Sequence, residues 1–215
     1  MKRSVMKQIS KYGVIPVVVL DSSEDAEPLA RALIAGGLPC AEVTFRTDAA
    51  AESIRIMARS FPEMLVGAGT VMTVEQAQTA AAAGAQFIVT PGLNEPVIEY
   101  CLANDIPVIP GVMDTYAIEK ALRAGLSLLK FFPAEAAGGI RMLKAFSGPY
   151  PQVRFLPTGG ISASNMDTYL SSSNVAAVGG SWICSRKMIT EGRFEEITER
   201  TAAACRAAAK CRAAY

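Results

Sequence analysis

Eight short apolar runs, rich in β-branched and aromatic residues, recur along this chain at nearly regular intervals. Their first residues are 26, 25, 22, 20, 21, 27 and 20 positions apart, which leaves room each time for one helix and two short loops. Strands that alternate with helices pair in parallel, and parallel strands covered on both faces are apolar throughout, as these runs are. The runs are residues 14–20, 40–45, 65–69, 87–90, 107–110, 128–132, 155–158 and 175–178.

Eight such units predict a closed (β/α)₈ barrel that uses all 215 residues as a single domain. A doubly wound sheet of five strands would leave about a third of the chain unused. We expect residues 1–13 to form a helical N-terminal segment and residues 194–215 to form the last helix. Residues that cap helix N-termini precede several helical segments, among them Asp48, Thr73, Asn94 and either Asp114 or Thr115.

The composition removes several classes of function. The chain has no histidine, which excludes Ser-His-Asp and Cys-His nucleophile systems and HExxH metalloproteases. Catalysis would have to use carboxylate, lysine, cysteine, tyrosine or a cofactor. A formal net charge of +1 gives no electrostatic reason to expect nucleic acid as a partner.

Localisation and redox state follow from what the sequence lacks. No apolar run reaches the roughly 18 residues of a membrane span, and no secretory signal core follows the basic N-terminus. The five cysteines are scattered without CxxC spacing, which indicates neither a disulfide framework nor a zinc site. These features predict a cytoplasmic protein with reduced thiols and no membrane partner.

Lys130 is the one charged residue in the apolar run 128–132. Active sites of such barrels lie at the carboxyl ends of the strands, so this lysine is the first candidate. Burial disfavours the ammonium form and leaves a nucleophilic amine available near neutral pH, as imine formation with a carbonyl substrate requires. The alternative is a strand-end lysine whose ammonium group reaches solvent.

The second run carries three polar residues with a period of two. Glu42, Thr44 and Arg46 therefore share one face, which we expect to point into the mouth of the barrel. Glu42 is either a general base near an imine or only the ion-pair partner of Arg46 or Lys130. Arg46 carries a planar guanidinium that suits the carboxylate of a 2-oxo acid, with a surface arginine as the alternative.

Two Gly-Gly pairs, Gly159-Gly160 and Gly179-Gly180, follow the last two predicted strands. Backbone amides approach phosphate oxygens closely only where no Cβ intrudes, and these barrels often bind phosphate after strands seven and eight. Together the two pairs favour a phosphate site over two ordinary turns. Glu135 is predicted to lie in the first turn of a helix, where a carboxylate complements the helix dipole.

Seven strand-end segments occur in an order and spacing that are very specific. They are Glu42-Val-Thr-Phe-Arg-Thr47, Gly67-Ala-Gly-Thr70, Thr90-Pro-Gly-Leu93, Ile109-Pro-Gly-Val112, Lys130-Phe-Phe-Pro-Ala-Glu135, Pro157-Thr-Gly-Gly-Ile-Ser162 and Gly179-Gly-Ser-Trp182. As a set they resemble the bacterial 2-keto-3-deoxy-6-phosphogluconate (KDPG) and 4-hydroxy-2-oxoglutarate (KHG) aldolases. The likeness covers residues 12–199.

The resemblance implies a class I aldolase, a lyase on a (β/α)₈ barrel, usually a homotrimer, in the Entner–Doudoroff pathway. It gives Lys130 the role of Schiff-base lysine and Glu42 that of proton shuttle. The implied contacts to the pyruvate half are Arg46, Thr70 and Thr158, with Phe132 and Pro91 lining the pocket. The implied phosphate cradle is Gly159, Gly160, Gly180 and Ser181. No metal or cofactor is implied, since the imine on Lys130 serves as the electron sink.

The predicted reaction is reversible cleavage of KDPG, a phosphorylated 2-oxo acid, to pyruvate and glyceraldehyde 3-phosphate. The nearest alternatives are the same chemistry on 2-keto-3-deoxy-6-phosphogalactonate or on KHG. A metal-dependent pyruvate aldolase or phosphosugar epimerase would need clustered carboxylates or histidines, whereas Glu42 stands nearly alone. A non-catalytic assembly subunit on the same barrel is the alternative from another class, and intact Lys130, Glu42 and Arg46 argue against it.

Overall fold

The computed structural model describes residues 2–213, and the side chains of residues 5–211. Within these residues, strands and helices alternate. The strands are β1 (Val14–Val18), β2 (Cys40–Thr44), β3 (Leu65–Gly69), β4 (Phe87–Val89), β5 (Val108–Ile109), β6 (Gly111–Val112), β7 (Leu128–Phe131), β8 (Arg154–Pro157) and β9 (Val178–Gly180). The helices are α1 (Lys2–Tyr12), α2 (Ala26–Ala35), α3 (Ala50–Ser60), α4 (Val74–Ala83), α5 (Glu95–Ala103), α6 (Thr115–Arg123), α7 (Gly139–Ser147), α8 (Met166–Leu170), α9 (Arg186–Thr190) and α10 (Phe194–Ala213), with a 3₁₀ turn at Ser23–Asp25.

Parallel pairing joins the strands into a ring. β1 pairs with β9 on one side and with β2 on the other, and the ladder continues through β3 and β4 to β5. β6 pairs with β7 and β7 with β8, and the bridges Phe155–Val175 and Thr158–Gly179 connect this part to β9. The predicted (β/α)₈ barrel is confirmed.

β5 and β6 are two pieces of one barrel strand, separated by Pro110. Proline has no backbone N–H to donate to a ladder, so regular pairing breaks at this residue. Its carbonyl oxygen still accepts a hydrogen bond from the Lys130 N–H at 2.8 Å. The pairing between this strand and β7 therefore continues across the break.

Three of the helix caps predicted above are confirmed. Thr73, Asn94 and Asp114 each accept the backbone N–H three residues further on, which satisfies a group that the helix itself cannot pair. The prediction that Asp48 caps the N-terminus of α3 was wrong. α3 begins at Ala50, and Ala49 occupies the N-cap position without a side-chain hydrogen bond.

Most predicted strand boundaries lie within two residues of the observed ones, and two predictions differ by more. β9 begins at Val178, because Val175 makes only an isolated bridge to Phe155 and the ladder with β1 starts three residues later. The residues after β7 form turns rather than a helix, so Glu135 precedes α7, which begins at Gly139.

The core surrounds and fills the barrel. All residues of β1, β2, β3 and β4 are buried, as expected for parallel strands covered by helices. Outside β7, the rings of Phe131, Phe146 and Phe155 pack with centroids 5.9–6.4 Å apart, which fixes the strand that carries Lys130. No helix in the described part of the chain is long and apolar enough to cross a bilayer.

Candidate active site

Lys130 and Glu42 meet inside the barrel. Lys130 is on β7 and Glu42 is on β2, four places apart in the ring of eight, and the alternation along each strand turns both side chains inward. Lys130 Nζ lies 3.3 Å from Glu42 Oε1, and the two residues are 3% and 0% exposed. The alternative of a lysine that reaches solvent is wrong. A buried ion pair contributes little net stability, which favours a chemical role.

A glycine on the neighbouring strand makes room for the Glu42 carboxylate. A Cβ at Gly69 would overlap Glu42 Oε1 and would lie 2.7 Å from its Cγ. The second carboxylate oxygen, Oε2, is buried and accepts no hydrogen bond from the described residues. Burial of an acceptor without a donor costs folding free energy. This oxygen could accept a hydrogen bond from a molecule bound in the barrel.

Arg46 and Thr70 lie together beyond the ends of β2 and β3. Arg46 is exposed, and its Nε donates to Thr70 Oγ1 at 3.2 Å. Thr70 has a φ of 55°, a left-handed conformation that is unfavourable for a β-branched residue. Backbone strain of this kind persists where the surroundings impose it, often at functional sites. Thr44, predicted on the same face, instead donates its hydroxyl to the Val18 carbonyl at 2.9 Å.

Phe132 and Pro91 border the same interior. Lys130 Nζ lies 5.2 Å from the centroid of the Phe132 ring, within range of a cation–π contact. The carbonyl of Pro91 lies against Gly111, which is the register partner of Lys130 on β6. The Phe132 ring therefore lies beside the Lys130 amine, and Pro91 lies against the strand that pairs with β7.

The turn after β8 contains Thr158, Gly159 and Gly160. Thr158 is buried, and a Cβ at Gly179 would lie 2.5 Å from its hydroxyl, so β9 packs directly on this side chain. Gly159 and Gly160 have φ values of 98° and 80°, which a residue with a Cβ adopts only with strain. Two consecutive residues of this turn have positive φ values, which explains why both positions are glycine.

The second glycine pair lies beside this turn. A Cβ at Gly180 would lie 3.4 Å from the Ile161 carbonyl and would overlap the Trp182 ring. Ser181, between Gly180 and Trp182, is exposed. The structure therefore brings together the four residues of the predicted cradle, with Trp182 packed against one of them.

The cysteines carry no comparable chemistry. None of the five, all within the described residues, forms a disulfide. Burial raises the pKa of Cys184 to about 12. Burial, followed by the charge of Glu42, raises the pKa of Cys40 still further above the usual thiol range. A thiolate is the reactive form, so neither side chain suits nucleophilic catalysis.

Lys130 and Glu42 form the one buried lysine–carboxylate pair among the described residues. Side chains of residues 5–211 include no cluster of three or more His, Cys, Asp or Glu placed to hold a metal ion. A groove of about 880 Å³ lies at the amino end of the barrel beside Met6, Ile106 and Leu126. Its charged lining residues are Lys7 and Arg154, and it has no carboxylate paired with an amine. This groove therefore holds no counterpart of the Lys130–Glu42 pair.

Comparison with known proteins agrees with this arrangement. The sequence matches the family model described as KDPG and KHG aldolase over residues 5–200. The chain belongs to the KDPG and KHG aldolase family. Within this aldolase family, a 2-dehydro-3-deoxy-phosphogluconate aldolase of Treponema pallidum (strain Nichols) is 50% identical over 195 residues, 91% of this chain and 93% of that protein. A KHG/KDPG aldolase of Escherichia coli (strain K12) is 43% identical over 198 residues, 92% and 93% of the two chains.

A solved structure of this aldolase family shows the same fold. The KDPG aldolase of Legionella pneumophila superposes with a TM-score of 0.90 and 45% identity, covering 93% of this chain and 97% of that one. That crystal holds pyruvate captured at low pH as a covalent carbinolamine intermediate. Both the resemblance stated from the motifs and the barrel are thus confirmed.

The sequence motifs did not indicate that Gly69 makes room for the Glu42 carboxylate. The available signal was the Gly-Ala-Gly sequence at the end of β3, but its meaning depends on which side chain of β2 lies opposite. The sequence motifs did not indicate Tyr169 as a neighbour of the strand-end loops either. It lies on α8 and donates its hydroxyl to Glu135, a contact between residues 34 positions apart that no local pattern indicates.

Proposed function

We propose that this chain is a class I aldolase that cleaves KDPG reversibly to pyruvate and glyceraldehyde 3-phosphate. The observation that carries the proposal is the buried contact of 3.3 Å between Lys130 Nζ and Glu42 Oε1. A lysine amine beside a carboxylate can form an imine with a ketone and can move the protons that the reaction requires. Membership of the KDPG and KHG aldolase family supports the same chemistry.

Imine formation uses Lys130 as nucleophile. Transfer of a proton from Nζ to Glu42 leaves a neutral amine, whose lone pair attacks the C2 ketone of the substrate. The hydroxyl group of the carbinolamine that forms then takes this proton back from Glu42 and leaves as water, which gives a protonated imine and restores the Glu42 carboxylate. The Legionella pneumophila enzyme was captured with a carbinolamine of pyruvate, which is the same kind of intermediate formed with the product.

Carbon–carbon cleavage then uses Glu42 as base. Glu42 takes the proton of the C4 hydroxyl, the C3–C4 bond breaks, and its electron pair moves toward the iminium nitrogen to give an enamine. Glyceraldehyde 3-phosphate leaves at this stage. Glu42 returns the proton to C3, and hydrolysis of the imine releases pyruvate and restores Lys130.

We assign the pyruvate half to the side chains around the lysine. The guanidinium of Arg46, oriented by its bond to Thr70, suits the substrate carboxylate. Thr158 lies at the end of the adjoining strand and supplies a hydroxyl, while Phe132 and Pro91 provide apolar walls that limit water around the imine.

We assign the phosphate to the two glycine turns. Gly159 and Gly160 expose backbone without side chains, and Gly180 and Ser181 adjoin them at the end of β9. The carbonyls of Gly159 and Gly160 are bonded to Glu135 N–H and Asn165 Nδ2 at 3.1 and 3.0 Å, so an anion would be met by N–H groups instead. That polarity suits phosphate.

A turnover assay distinguishes the substrates. Purified protein is given KDPG, 2-keto-3-deoxy-6-phosphogalactonate or KHG, and the pyruvate released is measured with lactate dehydrogenase. We expect the highest kcat/KM with KDPG. A higher value with the galactonate epimer or with phosphate-free KHG would instead assign the chain to that substrate, and no release from any of them would contradict the proposal.

We further propose that the chain works as a homotrimer. Met72, Met113 and Tyr116 are 52%, 51% and 65% exposed, and exposed apolar groups in one region mark interaction surfaces. Asn94 donates to the Met72 carbonyl and is followed by Glu95, which Lys120 contacts. Lys120 also lies over the Tyr116 ring, and Met113 is three residues before Tyr116 in the chain. Analytical ultracentrifugation should give three times the chain mass, and Tyr116→Glu should lower it. A monomer for the unaltered chain would contradict this proposal.

A cytoplasmic location is also part of the proposal. Cys205 and Cys211 are only half-buried and form no disulfide, which is typical of a reducing compartment. Fractionation of cells that express the chain should recover it with cytoplasmic markers, and recovery with secreted or membrane fractions would contradict the assignment.

A further inference from the structure

The loop after β7 is hydrogen-bonded to the turn after β8. Ala134 N–H donates to the Thr158 carbonyl at 2.8 Å, and Glu135 N–H donates to the Gly159 carbonyl at 3.1 Å. These bonds continue the β7–β8 pairing past the ends of both strands. The loop that follows Lys130 therefore fixes the backbone of the glycine turn.

The Glu135 side chain packs against the same turn. A Cβ at Gly160 would lie 2.5 Å from Glu135 Cγ and 2.7 Å from its Cβ. The methylene groups of Glu135 thus occupy the space that a side chain at Gly160 would need. Gly160 is held between this stem and Asn165, whose Nδ2 donates to its carbonyl.

Tyr169 determines where the Glu135 carboxylate points. Tyr169 is 1% exposed and donates its hydroxyl to Glu135 Oε1. Gly139, the first residue of α7, lies against both groups, since a Cβ there would be 2.9 Å from the hydroxyl and 3.1 Å from Oε1. The carboxylate is thus turned toward a phenol and a helix N-terminus, where negative charge is favoured.

The phenol remains a donor over a wide pH range. Burial, together with the bond to Glu135, raises the pKa of Tyr169 well above that of an ordinary tyrosine. A phenol that keeps its proton can donate to the Glu135 carboxyl group, and a hydrogen bond to a charged acceptor is stronger than one between neutral groups. The contact joins α8 to the loop after β7, across Gly160.

We propose that Glu135, oriented by Tyr169, is a positioning residue that fixes the Gly159-Gly160 turn for binding the phosphate of the substrate. The inference rests on the proposed function, because it assumes that this turn binds phosphate. Glu135 acts through its backbone N–H, its methylene stem and its anchored carboxylate. Its role is confined to the phosphate end and does not extend to imine chemistry at Lys130.

The test separates a reaction that needs the phosphate from one that does not. KM and kcat for KDPG are measured for Glu135→Ala, Glu135→Gln and Tyr169→Phe. The phosphate-free reaction is deuterium exchange at C3 of pyruvate in D₂O, followed by NMR, which needs only the imine and the proton shuttle. We expect Glu135→Ala to raise the KM for KDPG about tenfold, with kcat and the exchange rate within about twofold of the unaltered chain.

The conservative variants add a readout that a general structural role would not give. Glu135→Gln retains the stem and an acceptor for Tyr169, so we expect it to restore most of the KM. Tyr169→Phe leaves the packing in place and should give an intermediate KM. The matched control is Tyr150→Phe, which removes another tyrosine–glutamate hydrogen bond, to Glu119 at 3.1 Å, and should change neither reaction.

Three results would overturn the inference. One is an equal loss of both reactions in Glu135→Ala, which would indicate a general effect on the barrel. Another is an unchanged KM. The third is a lower KM in both Glu135 variants, which would mean that repulsion between carboxylate and phosphate outweighs positioning. Absence of pyruvate exchange in the unaltered chain would instead contradict the proposed function. Failure of the inference about Glu135 can therefore be distinguished from failure of the proposed function.

Discussion

Lys130 Nζ contacts Glu42 Oε1 across the barrel, although the two residues are 88 positions apart in the chain. The contact exists because β2 and β7 lie on opposite sides of the ring and both side chains point inward. Each residue gives the other a partner in a region that excludes water. The pair is thus a consequence of barrel closure, and its reactivity can be tested one residue at a time.

The first prediction concerns the amine. Lys130→Met retains most of the buried volume but removes the nucleophile, and it leaves Glu42 as a buried carboxylate without its cation. We expect KDPG turnover to fall by about 10³-fold or more, because no other lysine among the described residues is buried. Lactate dehydrogenase-coupled kinetics measure the loss. Lys144→Met, on the outer helix α7, is the control and should retain activity.

The second prediction concerns the carboxylate. Glu42→Gln keeps an acceptor for Lys130 Nζ but cannot take a proton, so we expect kcat to fall by about 10²–10⁴-fold. Deuterium exchange at C3 of pyruvate, followed by NMR, should fall with it. Turnover within tenfold of the unaltered chain would remove Glu42 from the mechanism.

The third prediction concerns Gly69. Gly69→Ala places a methyl group where Glu42 Oε1 lies, so the carboxylate must move. Misplacement of a catalytic group by about 1 Å can cost 10²-fold in rate, and we expect a loss of that order in kcat. Gly148→Ala is the matched control, because a Cβ there meets nothing within 4 Å. Equal kcat values for the two variants would show that Gly69 is not needed to seat Glu42.

The fourth prediction concerns stability at low pH. The Arg186 guanidinium, hydrogen-bonded to Asp21, holds the pKa of that carboxyl below its usual range. A folded pKa below the unfolded value stabilises the protein above about pH 4, and the contribution is lost as the pH falls through the folded pKa. Asp21→Asn should lower the urea midpoint at pH 7 and should converge with the unaltered chain near pH 2. A constant difference at both pH values would contradict this assignment.

The fifth prediction concerns metal ions. A lysine imine supplies its own electron sink, so we expect prolonged treatment with EDTA to leave KDPG turnover unchanged. The coupled assay, repeated after dialysis, measures this. Loss of activity that a divalent cation restores would favour a metal-dependent aldolase instead.

The repeated units could be predicted from the sequence because their signals are local. Apolar runs at regular spacing predict the strands, and Thr73, Asn94 and Asp114 predict helix starts through contacts within three residues. Asp48 failed because α3 begins at Ala50, one residue too late for that cap. Local patterns predict which kind of element forms better than where it begins.

The site could be predicted where one residue conflicts with its surroundings. A lysine inside an apolar strand and glycines after the last strands stand out without any knowledge of the fold. Gly69 and Tyr169 do not, because their importance arises from neighbours on other strands and helices. The prediction that Glu135 lies in the first turn of a helix was wrong for a related reason, since its N–H and its carboxylate are bonded to the turn after β8 and to α8.

The most direct test of the account is chemical trapping of the imine. The protein is incubated with pyruvate and sodium borohydride, digested, and analysed by mass spectrometry. We predict inactivation, together with a carboxyethyl group, the reduced pyruvate adduct, on Lys130. An unmodified Lys130 in an enzyme that still releases pyruvate from KDPG, or an adduct on another lysine, would contradict the account.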